Sequence, residues 1–199
     1  MSDLRCGSSG ERGEVAGTRG EEDRTSASLG PLACVDGHWV VGDCFRPGGH
    51  WLEFRPDGIY QHARTPSEEL LMPWTRIMLG IGFSLGAKYP QRGSVSPVGM
   101  IGGLPGPWRG VGRGYLHMTL RHPYEDWLAS FDRHPRWYPM TELAQFEALL
   151  VHTGAAKELH RLGDADWLGH AVDRLKRRHP RTVRALRKVM SELLGQAEI

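Results

Sequence analysis

A chain of 199 residues, 40% hydrophobic and 24% charged, can bury a core without help from a disulfide or a metal. Its longest apolar region, residues 70–85, is shorter than the roughly 18–20 residues that cross a bilayer, and it contains Pro73 and Arg76. The net charge of +2 conceals a gradient: residues 1–30 carry 4 basic and 6 acidic side chains, 31–154 carry 11 of each, and 155–199 carry 10 basic and 6 acidic.

The first 30 residues mix Gly, Ser, Arg and Glu without an apolar period or a signal-peptide core, so a disordered tail is expected over 1–30. Cys6, Cys34 and Cys44 are odd in number, which favours reduced thiols and a cytoplasmic protein over a disulfide framework. From Pro31 the texture changes. HWVVGDCF and WLEF are short, aromatic and β-branched, and bounded by Gly and Pro, as strands are. Cys34, His38, Cys44 and His50 form a C-x3-H-x5-C-x5-H series of the residue types that hold zinc, but the spacing is that of ordinary strand residues and no metal or other cofactor is expected.

Arg55-Pro56-Asp57-Gly58 separates WLEF from IYQHA and predicts a β-hairpin, with Pro56 presetting φ and Gly58 tolerating a positive one. Period-2 alternation then places Leu52, Phe54 and Ile59 on the core and turns Glu53 and Gln61 to water. LLMPWTRIMLGIGFSLG supplies one or two further strands, with Pro73 confined to an edge or bulge and Trp74 and Ile77 packed. Residues 82–114 are dense in Gly and Pro but match neither G-x-G-x-x-G nor a P-loop, so a long connection is expected before YLHMTL. YLHMTL buries Leu116, Met118 and Leu120 on one face.

The Arg-His-Pro tripeptides at 121, 133 and 178 read as places where regular structure stops, although His117, His122 and His134 are of the type that does acid–base chemistry. Trp74, Trp108, Trp127, Trp137 and Trp167 are scattered like core or interface anchors rather than a base-stacking row. From Thr141, which can cap a helix, the period becomes helical through Leu143, Phe146, Leu149 and Leu150 to Gly154. A second helix is expected from Asp164 to Pro180, and a third from about Arg181 to Gly195.

The hairpin LEFRPDGI, the strand LLMPWTRI and the helix over 141–152 together resemble bacterial pleckstrin-homology-like domains across residues 38–153. The resemblance implies an α+β fold: a curved antiparallel sheet or partly open barrel over 31–154, capped by one helix, with residues 155–199 as a basic helical arm. The order of sheet and RLGDADWLGHAVDRLKRR further resembles replication-activator-type accessory regulators of bacterial integrative plasmids, which implies a DNA-associated regulatory role and transfers no site residue.

The arm holds the candidate nucleic-acid-binding residues Arg174, Lys176, Arg177, Arg178, Arg181, Arg184, Arg187 and Lys188, with no acidic residue from 174 to 188. Such a run can engage phosphates and release counterions, or can be a solvated face whose apolar stripe packs on the sheet. No catalytic elbow or metalloprotease motif accompanies it. A non-enzymatic regulatory factor is expected, acting on DNA or another polyanion and on a protein partner. The alternative is a binding module for a peptide, a protein or an acidic lipid headgroup.

Overall fold

The computed structural model describes residues 25–86, 112–121 and 123–195. Six strands form an antiparallel meander in chain order: β1 (Thr25–Leu29), β2 (Leu32–Val35), β3 (His38–Val41), β4 (Trp51–Arg55), β5 (Gly58–His62) and β6 (Leu70–Pro73). Three more, β7 (Gly82–Leu85), β8 (Arg113–Leu120) and β9 (Glu125–Asp132), form a second antiparallel sheet. Three helices follow, α1 (Met140–Ala155), α2 (Ala165–Arg178) and α3 (Val183–Leu194). The chain is α+β, and the two sheets do not close into a barrel.

The sheets are tied at two corners. A bridge pairs Ile77 with Leu120, flanked by Met78 N–H to the Thr119 carbonyl at 3.0 Å and Arg121 N–H to the Arg76 carbonyl at 2.9 Å. At the other corner Asp43 N–H donates to the Asp132 carbonyl at 2.8 Å, and Asp132 N–H to the His50 carbonyl at 2.7 Å. The buried Asp132 carboxylate adds bonds from His50 N–H (2.9 Å) and Arg46 (3.3 Å). These ties satisfy backbone groups that each sheet edge would otherwise leave open.

The hairpin at Pro56 forms, with Arg55 opposite Gly58 and Phe54 opposite Ile59, but Gly58 does not take the positive φ expected of it: glycine is needed there for close approach, since a Cβ would lie 2.2 Å from the Met72 carbonyl oxygen. Leu52, Phe54 and Ile59 enter the core, as do Leu116, Met118 and Leu120. Pro73 lies on β6, an edge strand paired only with β5, where its missing N–H costs no ladder bond. Trp74 leaves that edge in a 3-10 turn, is buried, and donates its indole N–H to the Arg55 carbonyl at 2.9 Å.

Several expectations are corrected. The tail does not extend to residue 30: Thr25–Leu29 pairs with β2, and Arg136 donates to Ser28 Oγ (3.1 Å) and the Gly30 carbonyl (3.0 Å), while Gly30 N–H donates to Glu142 (2.8 Å). Glu53 does not face water but is buried, for reasons given below. Thr141 does not cap α1. That helix starts one residue earlier behind Pro139, whose φ of −59° suits the boundary, and it runs past Gly154. Gly154 instead allows close approach, since a Cβ there would lie 2.7 Å from the Gly80 Cα.

Nor is the basic segment an appended arm. Leu168, Ala171, Val172 and Leu175 of α2, with Val189, Met190, Leu193 and Leu194 of α3, belong to the same buried cluster as Leu29, Trp39, Phe83 and Phe146. Trp39 donates its indole N–H to the Ala165 carbonyl at 3.1 Å, fixing the start of α2 to β3. The amphipathic stripes of both helices are thus spent on a core shared with the sheets.

α1 carries one half-buried carboxylate whose pKa burial alone pushes up to about 7, Glu147. A raised carboxyl pKa means that the folded state keeps a proton the unfolded chain loses, so stability falls as pH rises from about 4.5 to about 7 and is level above that. Glu147→Gln is therefore expected to raise the melting temperature at pH 8 by about 2–4 °C, on the order of 1 kcal/mol after allowing for solvent screening, and to change nothing at pH 4. Thermal melts of the two proteins across pH 4–8 check it.

Candidate nucleic-acid interface

Two capped helices joined by a four-residue turn, residues 179–182, present the basic run. Asp164 caps α2, accepting from Asp166 N–H (3.1 Å) and Trp167 N–H (3.0 Å). His179 ends it in the left-handed region at φ 45°, its N–H on the Leu175 carbonyl at 3.0 Å. Thr182 then caps α3 through Ala185 N–H at 3.2 Å. Because both helices bury their apolar stripes, their cations must point outward.

The structure divides the eight expected residues. Lys176, Arg181, Arg184, Arg187 and Lys188 are exposed, and among the described residues none has a carboxylate within ion-pair distance. Arg174 is half-buried and pairs with Glu192 of α3, Arg178 reaches the same carboxylate at 3.8 Å, and Arg177 pairs with Asp173 one turn back. Such exposed pairs contribute about 0–1 kcal/mol each and are screened by salt, so these three guanidiniums remain exchangeable. His170, Arg174, Arg177 and Arg178 line a surface hollow of about 350 Å³. Arg187 extends the positive field onto α1, where burial first, and then its charge, hold His152 below the ordinary imidazole range.

A second group went unrecognised in the sequence. Glu53 is 7% exposed, yet lies on the outer face of the large sheet. His38 Nδ1 stands 3.1 Å from Oε1, and His62 Nε2 (2.9 Å) and Arg55 (2.7 Å) meet Oε2. Burial pushes the carboxyl up, the hydrogen bonds from Arg55 and His62 outweigh it, and the net pKa lies below its ordinary value. Trp51 stacks on His62 at 3.5 Å between ring centroids, and the Arg55 guanidinium sits 4.1 Å over the Tyr60 ring. The sequence signal for this group was the i, i+2 series Trp51, Glu53, Arg55 opposite His62, Tyr60, Gly58, which places all six on one face.

Beside Glu53 a cleft of about 770 Å³ opens between the β2–β3 turn, the β4–β5 turn and the start of α2. Its polar lining is His38, Glu53, Arg55, His160 and Asp164, a mixture of both signs with no preference for either. The α2–α3 surface, with eight cations against Asp166, Asp173 and Glu192 over residues 165–195, is strongly one-sided.

The remaining expected residues are dispersed. Cys34 packs on the main core, Cys44 on a small outer cluster with Ala33, Val35 and Val40, and His38 on Glu53. Among the described residues no group of His, Cys, Asp and Glu is placed to hold a metal ion. His117 lies against Gly82, where burial lowers its pKa. The buried His134 is locked to Tyr138, whose hydroxyl accepts the His134 backbone N–H (2.9 Å) and meets Nδ1 (2.7 Å). Burial, then Arg136, hold that imidazole down at about 3. His122 and Trp108 lie outside the described residues. Trp127 and Trp167 pack against the core, and Trp137 is 44% exposed.

No described helix is long and apolar enough to cross a membrane. Compared with protein-family models, curated proteins and solved structures, the chain matches none.

Proposed function

We propose that this protein is a non-enzymatic regulatory factor that binds nucleic acid through the outer face of α2 and α3. The observation that carries the reading is the set of five exposed cations without carboxylate partners among the described residues: Lys176, Arg184, Arg187 and Lys188 on helices whose other faces are fixed in the core, and Arg181 in the turn between them. A rigid cationic surface of this kind attracts phosphates whatever the base sequence, and the contacts release counterions. Activation of replication or gene expression of an integrative plasmid or similar mobile element is the role the sequence resemblance supports, with the sheets available for protein contacts. The setting is cytoplasmic.

The test is binding of a fluorescein-labelled duplex to the full chain at rising salt. Binding that weakens steeply is expected; its absence at 50 mM salt overturns the reading.

One observation favours a second reading. Over residues 38–153, whose sequence resembles pleckstrin-homology-like domains, antiparallel strands are followed by one helix, α1, which is compatible with what that resemblance implies. A module of that kind binds a peptide, a protein or an acidic lipid headgroup, with the basic helices as an electrostatic anchor. Retention on acidic vesicles without affinity for duplex DNA decides for it.

A further inference from the structure

The eight basic residues are inequivalent in space. His170, Arg174, Arg177 and Arg178 recur at i, i+4, i+7 and i+8, which puts them on one side of α2, around the hollow of about 350 Å³. That space admits a phosphate group with part of its hydration. The guanidiniums around it are held by carboxylates: Glu192 reaches across from α3 to Arg174 and Arg178, and Asp173 takes Arg177. Each guanidinium has five donors in a fixed fork that suits a carboxylate and a phosphate equally. Glu192 therefore uses guanidinium edges that an incoming phosphate needs, and it does so from a surface position where such a pair is weak.

We propose that the hollow seats one backbone phosphate of the bound nucleic acid and that Glu192 is the resident competitor which that phosphate displaces. The proposal rests on the nucleic-acid reading above and adds a named contact and a built-in restraint on affinity. Binding at the hollow and the Glu192 pairs exclude one another, so the free cations make the first contacts and the hollow is filled only when a phosphate arrives in register. His170, exposed at the rim, supplies a further donor.

The experiment compares the wild type, Glu192→Gln and Asp166→Asn, each as the full chain, for binding a labelled duplex over a range of salt. Asp166→Asn makes the same change in net charge at the far end of α2. Glu192→Gln is expected to tighten binding about fivefold at 50 mM salt while leaving the salt slope nearly unchanged, because the same phosphate fills the hollow in both complexes and only the cost of displacing Glu192 is removed. Adding Arg174→Ala and Arg178→Ala to Glu192→Gln abolishes the gain. If the wild type binds DNA and Glu192→Gln gains no more than Asp166→Asn, the seat is overturned and the nucleic-acid reading stands. If the wild type binds no DNA, that reading is overturned, and inorganic pyrophosphate followed by the Arg174 and Arg178 Nε–H resonances decides the seat. Saturable shifts at lower concentration in Glu192→Gln than in wild type support it; no shift in either protein overturns it.

Discussion

Replacing Arg181, Arg184, Arg187 and Lys188 together by alanine lowers affinity for duplex DNA by about 100-fold or more at 50 mM salt, without loss of the fold. All four are exposed and pair with no carboxylate among the described residues, so their removal opens no cavity and strands no buried partner. Alanine is the best helix former, which offsets what their stems contributed. Each phosphate contact contributes about 0.9 to the slope of log K against log salt, so the loss of four removes most of the salt dependence along with the affinity. One side effect follows from geometry: without Arg187, His152 keeps only its burial as a cause of lowered pKa, and its titration moves up. Fluorescence anisotropy checks affinity, and circular dichroism checks that the helices persist. A variant that binds as tightly as the wild type would place the interface elsewhere.

Gly163→Ala is expected to be the most damaging single methyl in the chain's second half. Gly163 closes the 3-10 turn Leu159–Gly163, and a Cβ there would stand 2.0 Å from the Arg55 carbonyl oxygen and 3.0 Å from the Pro56 Cα. Both neighbours are backbone, and the same carbonyl already accepts the Trp74 indole N–H, so neither can step aside without breaking a contact. Overpacking against main chain costs about 1–3 kcal/mol, which for a domain of this size lowers the melting temperature by about 2–12 °C. The transition should stay single and cooperative, because the hairpin, the start of α2 and the core share one cluster. Two separated transitions, with the sheets melting at the wild-type temperature, would instead mean that residues 155–195 fold by themselves. Duplex binding at 10 °C should keep the wild-type salt slope, since none of the cations is touched.

What the sequence revealed was whatever is local. Arg55-Pro56-Asp57-Gly58 states its own turn, Leu116, Met118 and Leu120 state their face, and Asp164 and Gly195 mark helix ends by chemistry that reaches no more than a few residues, whereas the Thr182 cap was not read. Thr25–Leu29 states nothing comparable: TSASL has no alternation, and its place comes from pairing with β2 and from Arg136, which donates to Ser28 from 108 positions away. β9 escaped notice because Asp126, Ser130 and Asp132 interrupt its apolar residues, and its identity comes from an eight-residue register with β8. Glu53 obeyed alternation in facing away from the core. Its burial is set by His38 on one neighbouring strand and His62 on the other, which only pairing brings together.

The basic surface was legible to the same degree. Composition located the cations and period predicted that they lie opposite an apolar stripe, which α2 and α3 both bury. Composition cannot tell which arginines are engaged, since Glu192 lies 18 positions from Arg174 and meets it only because α3 folds back along α2. The segment's role as part of the core followed from the same packing and was not visible in its charge.

The most direct measurement is the equilibrium constant for a 20-base-pair duplex as a function of salt between 50 and 300 mM. Five exposed cations without carboxylate partners among the described residues, on α2, α3 and the turn between them, predict a linear plot of log K against log salt with a slope of about −4.5, indifferent to the duplex sequence. A slope near zero, or no complex at the lowest salt, would contradict the account.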